Sequence, residues 1–200
     1  MKTYEMNASV LTPVRTHVSC ADGVANVCKF DSREPDCNTF ALVNGSDFHN
    51  GTIEVDVCGK LLPDAYPTDR GFIGIVFRST GDGSEFESFY IRPTNGRECD
   101  DPVRKSHGCQ YFSFPGYTFA YFRQFGIPGY EHAVEDIALG EWAHLKLTVT
   151  DDRLDVYVNG QFIFTAPPLK HGRDCRGAIG LYVDNGTDGY FKNLQVTYLD

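Results

Sequence analysis

From about Asn50 onward the chain alternates apolar and polar residues with few interruptions. In GTIEVDVCG, Ile53, Val55 and Val57 fall on one face and Glu54 and Asp56 on the other, the pattern of a strand with one buried face. GFIGIVFRS is apolar on both faces, as a central strand is, and FESFYIRP continues the series. AHLKLTVT points Leu145, Leu147 and Val149 inward. RLDVYVNG and QFIFTA follow, joined at Asn159-Gly160, a pair that favours a type I′ hairpin. GAIGLYV and GYFKNLQVTYL, separated by the turn-rich DNGTDG, complete the chain. No segment shows a sustained helical period, an internal repeat or a low-complexity linker. Roughly a dozen short strands with Gly, Asn and Asp turns predict an all-β fold of two packed antiparallel sheets, a jelly-roll sandwich. A single domain is expected over 1–200, preceded by an irregular stretch over about 1–37.

One segment breaks the alternation. YFSFPGYTFAYFRQFGIPGY, from Tyr111 to Tyr130, holds a third of all the aromatic residues. A sandwich strand needs an apolar side chain only at every second position, so these consecutive rings either line a cavity or fold back to cap the core. The first reading makes Tyr111, Phe112, Phe114, Tyr117, Phe119, Tyr121 and Phe122 one wall of a ligand site.

Composition narrows the partners. A formal charge of −9 and the lack of a basic tract argue against nucleic acid, whose phosphates require lysine and arginine. No apolar run reaches the roughly 20 residues of a membrane-spanning helix. The first ten residues, MKTYEMNASV, lack the apolar core of a signal peptide. Cys20, Cys28, Cys37, Cys58, Cys99, Cys109 and Cys175 show no paired metal-ligand spacing. With N-x-[ST] sites at Asn7, Asn44, Asn50 and Asn185, they suggest a disulfide-bonded glycoprotein, secreted or in the secretory lumen, with its leader removed. Cys20 with Cys28, and Cys99 with Cys109, are the short-loop pairs to test first.

The closing succession GEWAHLKLTV, LDVYVNGQ, GAIGLYV, GYFKNLQV and the earlier FHNGTIEVDVCG and GFIGIVFR resemble the strands of concanavalin A-like lectin/glucanase jelly rolls. That group includes laminin-G-like modules and the 3-keto-disaccharide hydrolase-like domain. The resemblance covers roughly 40–198, and FYIRP with DPVRKSHGCQYFSFPGY is similar to a stretch of laminin-G-like bacterial proteins. It implies a fold; activity has to come from the site.

Glucanases of family sixteen carry E-x-D-x-x-E on one strand. Here Glu54 and Asp56 are present, but the second glutamate position is Gly59, so the carboxylate pair for retaining hydrolysis is missing. Glu54 and Asp56 then read as exposed alternates of a half-buried strand. A different group holds more chemistry: Tyr90 and Arg92 share a strand face, and RKSHGCQY brings Arg104, His107 and Gln110 close in sequence. Histidine exchanges protons near neutral pH, arginine stabilises an oxyanion, and tyrosine or glutamine orients a carbonyl or hydroxyl. Tyr90, Arg92, Arg104 and His107 are therefore the candidate catalytic residues. Gln110, Arg123 and Glu131 join the aromatic wall as substrate-binding candidates. The alternative pairs Arg92 and Arg104 with Glu98, Asp100 or Asp101 and leaves His107 on the surface. Trp142, the sole tryptophan, reads as core or sheet-edge packing. No residue is assigned to a catalytic metal, although Asp184, Asn185 and Asp188 offer hard oxygens suited to structural calcium, or simply to a turn.

The Phe-rich wall with a few polar groups suits a small-molecule pocket. Cysteines, sequons and size also resemble secreted fungal proteins that catalyse dehydration and hetero-Diels–Alder cyclisation. That resemblance implies a cofactor-independent cyclase or lyase acting on an apolar or polycyclic compound. The alternative is a carbohydrate-binding or carbohydrate-active domain with a glycan partner, and a third is a noncatalytic adhesion module. The oligomeric state is left open.

Overall fold

The computed structural model describes residues 1–30 and 33–199. Its strands are β1 (Lys2–Tyr4), β2 (Leu11–Val14), β3 (Thr16–Ala21), β4 (Val24–Lys29), β5 (Phe40–Val43), β6 (Asn50–Leu61), β7 (Ile73–Ser79), β8 (Phe86–Ile91), β9 (Cys109–Phe114), β10 (Glu131–His132), β11 (Ala143–Thr150), β12 (Arg153–Val158), β13 (Gln161–Thr165), β14 (Ala178–Val183) and β15 (Thr187–Leu199). A 3-10 turn spans Pro93–Asn95, and two short helices are α1 (Pro102–Lys105) and α2 (Phe119–Gln124). An eight-stranded sheet runs β13-β12-β11-β6-β15-β4-β3, with β1 added beside β15, and a seven-stranded sheet runs β10-β9-β8-β7-β14-β5-β2. All pairings are antiparallel, as the two-sheet reading requires.

The alternation decides which face goes inward. Ile53, Val55 and Val57 of β6 and Leu145, Leu147 and Val149 of β11 are fully buried between the sheets. Each such side chain contributes roughly 1.5–3 kcal/mol of burial. Glu54 and Asp56 point out from the same strand, where His144 bridges them with Nδ1 2.8 Å from Asp56 and Nε2 3.3 Å from Glu54.

In the middle of the seven-stranded sheet β7 and β8 are buried on both faces along their whole length, which explains the apolar run from Ile73 to Phe77. The sheet's inner face joins the main core. Its outer face carries a second cluster of Phe40, Val76, Phe86, Tyr90, Phe112 and Tyr182. Register aligns Phe40, Tyr182, Gly74, Tyr90, Gln110 and Glu131 in one row across five neighbouring strand pairs. At Gly74 a Cβ would lie 2.0 Å from the Phe89 carbonyl oxygen, so only glycine fits there. The row passes from apolar to polar along its length, and its polar end sets the position of the site.

Several expectations need correction. Of the stretch over 1–37, residues 1–30 are largely regular: THVSCA and VANVCK form the β3–β4 hairpin around Asp22 and Gly23, both at positive φ (52° and 76°). This is the Asp-Gly turn signal of a tight hairpin. The aromatic stretch is also not all strand or loop, since Phe119–Gln124 is helical.

All seven cysteines are free. Cys20 faces Ala25 and Cys28 faces His17 in the hairpin register, three positions apart along the strand and about 10 Å out of reach of one another. Cys109 lies in the core cluster, whereas the Cys99 thiol contacts the Asp101 carbonyl. Trp142 is exposed, with the Lys192 ammonium 4.1 Å from its ring centroid. Two sequon asparagines use the amide nitrogen that a glycan would need: Asn44 donates to Ser9 O and Asn185 to Arg33 O. No helix among the described residues is long and apolar enough to cross a membrane.

Candidate functional site

At the polar end of the row a cleft of about 650 Å³ opens beside the seven-stranded sheet. Strand and loop ends deliver its lining from many places: Asp36 from the β4–β5 loop, Arg70 and Phe72 before β7, Tyr90 and Arg92 from the end of β8, Asn95 from the 3-10 turn, Arg104 from α1, His107 before β9, Phe119 and Arg123 from α2, and Asp184 after β14. Local chemistry fixes several of these elements. Asp101 caps α1 by accepting from the backbone N–H groups of Val103 (2.9 Å) and Arg104 (3.2 Å), with Pro102 at the first helical position.

Asp36 is the hub. It adopts φ of +50°, a conformation Asp tolerates better than most residues. Its Oδ1 accepts from the Tyr90 hydroxyl, and its Oδ2 accepts from Gln110 Nε2 and the Phe119 N–H, all at 3.0 Å. Burial, reinforced by the nearby Asp184 charge, pushes its carboxyl up to about 6. Asp184 in turn is held by the Lys29 ammonium at 3.0 Å and by the Asp36 N–H at 2.9 Å.

Arg92 ties this hub to a second carboxylate. Its guanidinium donates to the Tyr90 hydroxyl (3.1 Å), to Gln110 Oε1, and to Glu131 Oε1 (2.8 Å). Burial works against the Arg92 charge, but Tyr90, Glu131 and Asp36 more than restore it. Glu131 also stands 3.1 Å from His107 Nδ1 and 3.3 Å from Arg123 Nη2. Burial alone would raise the Glu131 carboxyl; the Arg92 charge and hydrogen bonds from Tyr130 and Arg92 outweigh it and hold the group below the ordinary range.

A family model for the 3-keto-alpha-glucoside-1,2-lyase-like domain matches residues 5–197. The chain belongs to this family. No curated protein matches it. Among solved structures it is similar to the carbohydrate-binding module CBM66 from Bacillus subtilis, with a TM-score of 0.62 and 17% identity over 92% of this chain and 93% of that one. A putative glycosyl hydrolase from Parabacteroides distasonis gives a TM-score of 0.54 and 15% identity over 94% and 99% of the two chains. The Bacillus licheniformis beta-glucanase gives 0.53 and 14% over 99% and 92%. At these identities the likeness is one of fold, and the fold is the concanavalin A-like jelly roll. As a member of this family, the chain is a carbohydrate-related domain.

In this family member the four candidate catalytic residues, Tyr90, Arg92, Arg104 and His107, all line the cleft. Phe119 and Arg123 line it too, while Gln110 and Glu131 stand immediately behind it, bonded to Arg92. The remaining aromatic candidates lie elsewhere. Tyr111 is in the main core, where its hydroxyl donates to the buried Glu87 at 2.7 Å. Phe122 stacks on Tyr130 in the same core with ring centroids 4.6 Å apart. Phe112 packs in the outer-face cluster against Tyr90 and Tyr182. Phe114 stacks on Phe86, and Tyr117 and Tyr121 close on each other and on the Lys170 ammonium. These rings are packing elements because β9 buries both of its faces and α2 lays one face on the core. With the wall gone from the cleft, the case for an apolar, polycyclic substrate goes with it.

Sequence reasoning missed Asp36, Asp69, Arg70, Phe72 and Asn95, all lining residues on loops or turns without a motif. Asp184 and Asn185 were singled out for calcium, yet Asp184 is engaged by Lys29, and Asp188 turns to Asn26 and Tyr190. Among the described residues no group of three His, Cys, Asp or Glu side chains is placed to hold a metal ion.

Proposed function

We propose that this chain is a carbohydrate-active domain that binds a glycoside in the cleft and cleaves it by elimination. The observation that carries the reading is the His107–Glu131 contact. Glu131, anchored by Arg92, stands against Nδ1, and Nε2 has no protein partner among the described residues. An imidazole fixed by a carboxylate at one nitrogen is free to exchange a proton at the other.

The family's name supplies the substrate type, a glucoside oxidised at C3 that undergoes elimination across C1 and C2. The ketone acidifies the C2–H bond. His107 Nε2 takes that proton, the C2–H electron pair moves into the C1–C2 bond, and the C1–O bond breaks. The proton passes to the departing oxygen, leaving a conjugated enone. Negative charge developing on the C3 oxygen is favoured by a fixed cation. The Arg92 guanidinium, held in place by Tyr90, Gln110 and Glu131, supplies that charge beside the cleft, while the Tyr90 proton is committed to Asp36. Phe72 and Phe119 add apolar ring surface to the lining, suited to the C–H faces of a sugar.

The test is methyl 3-keto-α-glucoside incubated with the protein, read as enone absorbance and methanol release. Turnover is expected, and His107→Gln should lower it by about 10²–10⁴-fold. A protein that neither turns over this compound nor binds it or methyl α-glucoside would sink the reading.

A further inference from the structure

The cleft gathers Arg33, Arg70, Arg92, Arg104 and Arg123 in a chain whose formal charge is −9. Three of these cations are answered by carboxylates. Arg92 and Arg123 pair with Glu131, and Arg33 pairs with Asp69 at 2.9 Å and Asp64 at 3.6 Å.

Arg70 and Arg104 are not answered. Arg104 donates from Nε and Nη2 to Asn95 Oδ1, both at 3.2 Å, and from Nη2 to the Thr94 carbonyl (3.1 Å) and hydroxyl (3.3 Å). Arg70 donates from Nη1 to the carbonyls of Pro67 (2.6 Å) and Asp69 (3.0 Å). Every one of these acceptors is neutral, and neither guanidinium forms an ion pair among the described residues.

The two are also neighbours. The Thr94 N–H donates to the Arg70 carbonyl, and the Thr94 carbonyl accepts from Arg104. Burial first, and the Arg104 charge second, pull Arg70 below its ordinary range; the Asp69 charge opposes them without forming an ion pair and does not restore it. Asn95 holds the Arg104 fork in place and is itself fixed by donating to the His107 carbonyl at 3.0 Å. The other lining carboxylates are engaged: Asp36 accepts three hydrogen bonds, Asp69 pairs with Arg33 and Asp184 with Lys29.

Two guanidiniums that line one cleft, each held by neutral groups and each feeling the other's charge, repel each other until an anion arrives. Planar forks of this kind match carboxylate and sulfate oxygens. We infer that the cleft is built for a glycoside bearing an anionic substituent, a carboxylate or a sulfate ester, which Arg70 and Arg104 receive. This rests on the reading of the cleft as a sugar site and deepens it by naming the substrate class. A neutral hexoside would leave the pair unanswered.

The experiment is calorimetric titration of the full chain at low salt with methyl α-glucoside, methyl α-glucuronoside and methyl α-glucoside 6-sulfate. At least one anionic ligand should bind about tenfold or more tighter than the neutral one, with the advantage shrinking as salt is added. Whichever of the two prevails identifies the group. In Arg70→Gln and Arg104→Gln, with folding checked by circular dichroism, the ratio of anionic to neutral affinity should fall towards one. Binding of the neutral glycoside with no preference for either anion would overturn the inference and leave the sugar reading standing. A preference that survives in both variants would also overturn it. Binding of none of the three ligands would overturn both.

Discussion

The Tyr90 hydroxyl donates to Oδ1 of Asp36 at 3.0 Å, joining a strand of the seven-stranded sheet to a loop 54 positions away. Through this bond the β4–β5 loop is fastened over the outer face of the sheet, and the floor of the cleft becomes one hydrogen-bonded unit with Gln110 and Arg92.

Asp36 gives the fold a pH dependence of unusual sign for a carboxylate. Its pKa rises from the ordinary 3.8 to about 6 in the folded chain, so between those values the folded state holds a proton that the unfolded state has released. Raising pH through this window therefore removes stability, up to about 3 kcal/mol. Asp36→Asn cannot titrate. The stability of this variant relative to wild type should improve from pH 4 to pH 7, measured by urea unfolding at each pH. A flat difference would contradict the assignment.

Glu131 behaves in the opposite way. Its folded pKa lies below the ordinary glutamate value of 4.5, so its contribution is present above that value and is lost as pH falls. Glu131→Gln leaves the buried Arg92 without its carboxylate and should cost about 3–5 kcal/mol at pH 7. The cost should shrink on acidification, and activity on the 3-keto glycoside should fall with it. Chemical denaturation at pH 7 and pH 4 checks the first two expectations, and a rate assay the third.

Phe119 and Phe122 occupy one helix yet should differ in kind. Phe122 is fully buried against Tyr111 and Tyr130, so Phe122→Ala should cost about 3–5 kcal/mol of stability. Phe119 is only half-buried and lines the cleft, so Phe119→Ala should weaken glycoside binding with a much smaller loss of stability. Thermal melts alongside calorimetric titration separate the two effects. Equal stability losses would mean that Phe119 is also core.

Arg78 is the one charged side chain buried to 1% exposure in β7. It donates to the carbonyls of His49, Gly172 and Asp151 and to Asn50 Oδ1. Lysine cannot reproduce this fork, so Arg78→Lys should destabilise nearly as much as Arg78→Met, by about 3 kcal/mol or more. Urea midpoints for the two variants decide it.

How much of the site was legible follows from where each residue sits. Tyr90 and Arg92 were readable because alternation puts them on one strand face. His107 and Arg104 were readable because DPVRKSHG packs ionisable groups into a capped turn. Asp36 had no such signal: DSREPDCN looks like an ordinary loop, and its role depends on reaching Gln110 and the Phe119 N–H from far along the chain.

The period of two in β6, β11, β12 and β15 determined by itself that this would be a two-sheet sandwich, because each strand has one face that must leave water. What it could not determine was the destination of the rings between Tyr111 and Tyr130. A ring is equally stable against a core, a neighbouring ring or a sugar, and only register and layer packing sent Tyr111, Phe112 and Phe122 inward and left Phe119 at the cleft. The charge of the cleft was likewise a tertiary result. Its arginines are scattered from Arg33 to Arg123 in an acidic chain, and the loop ends at one edge of one sheet bring them together.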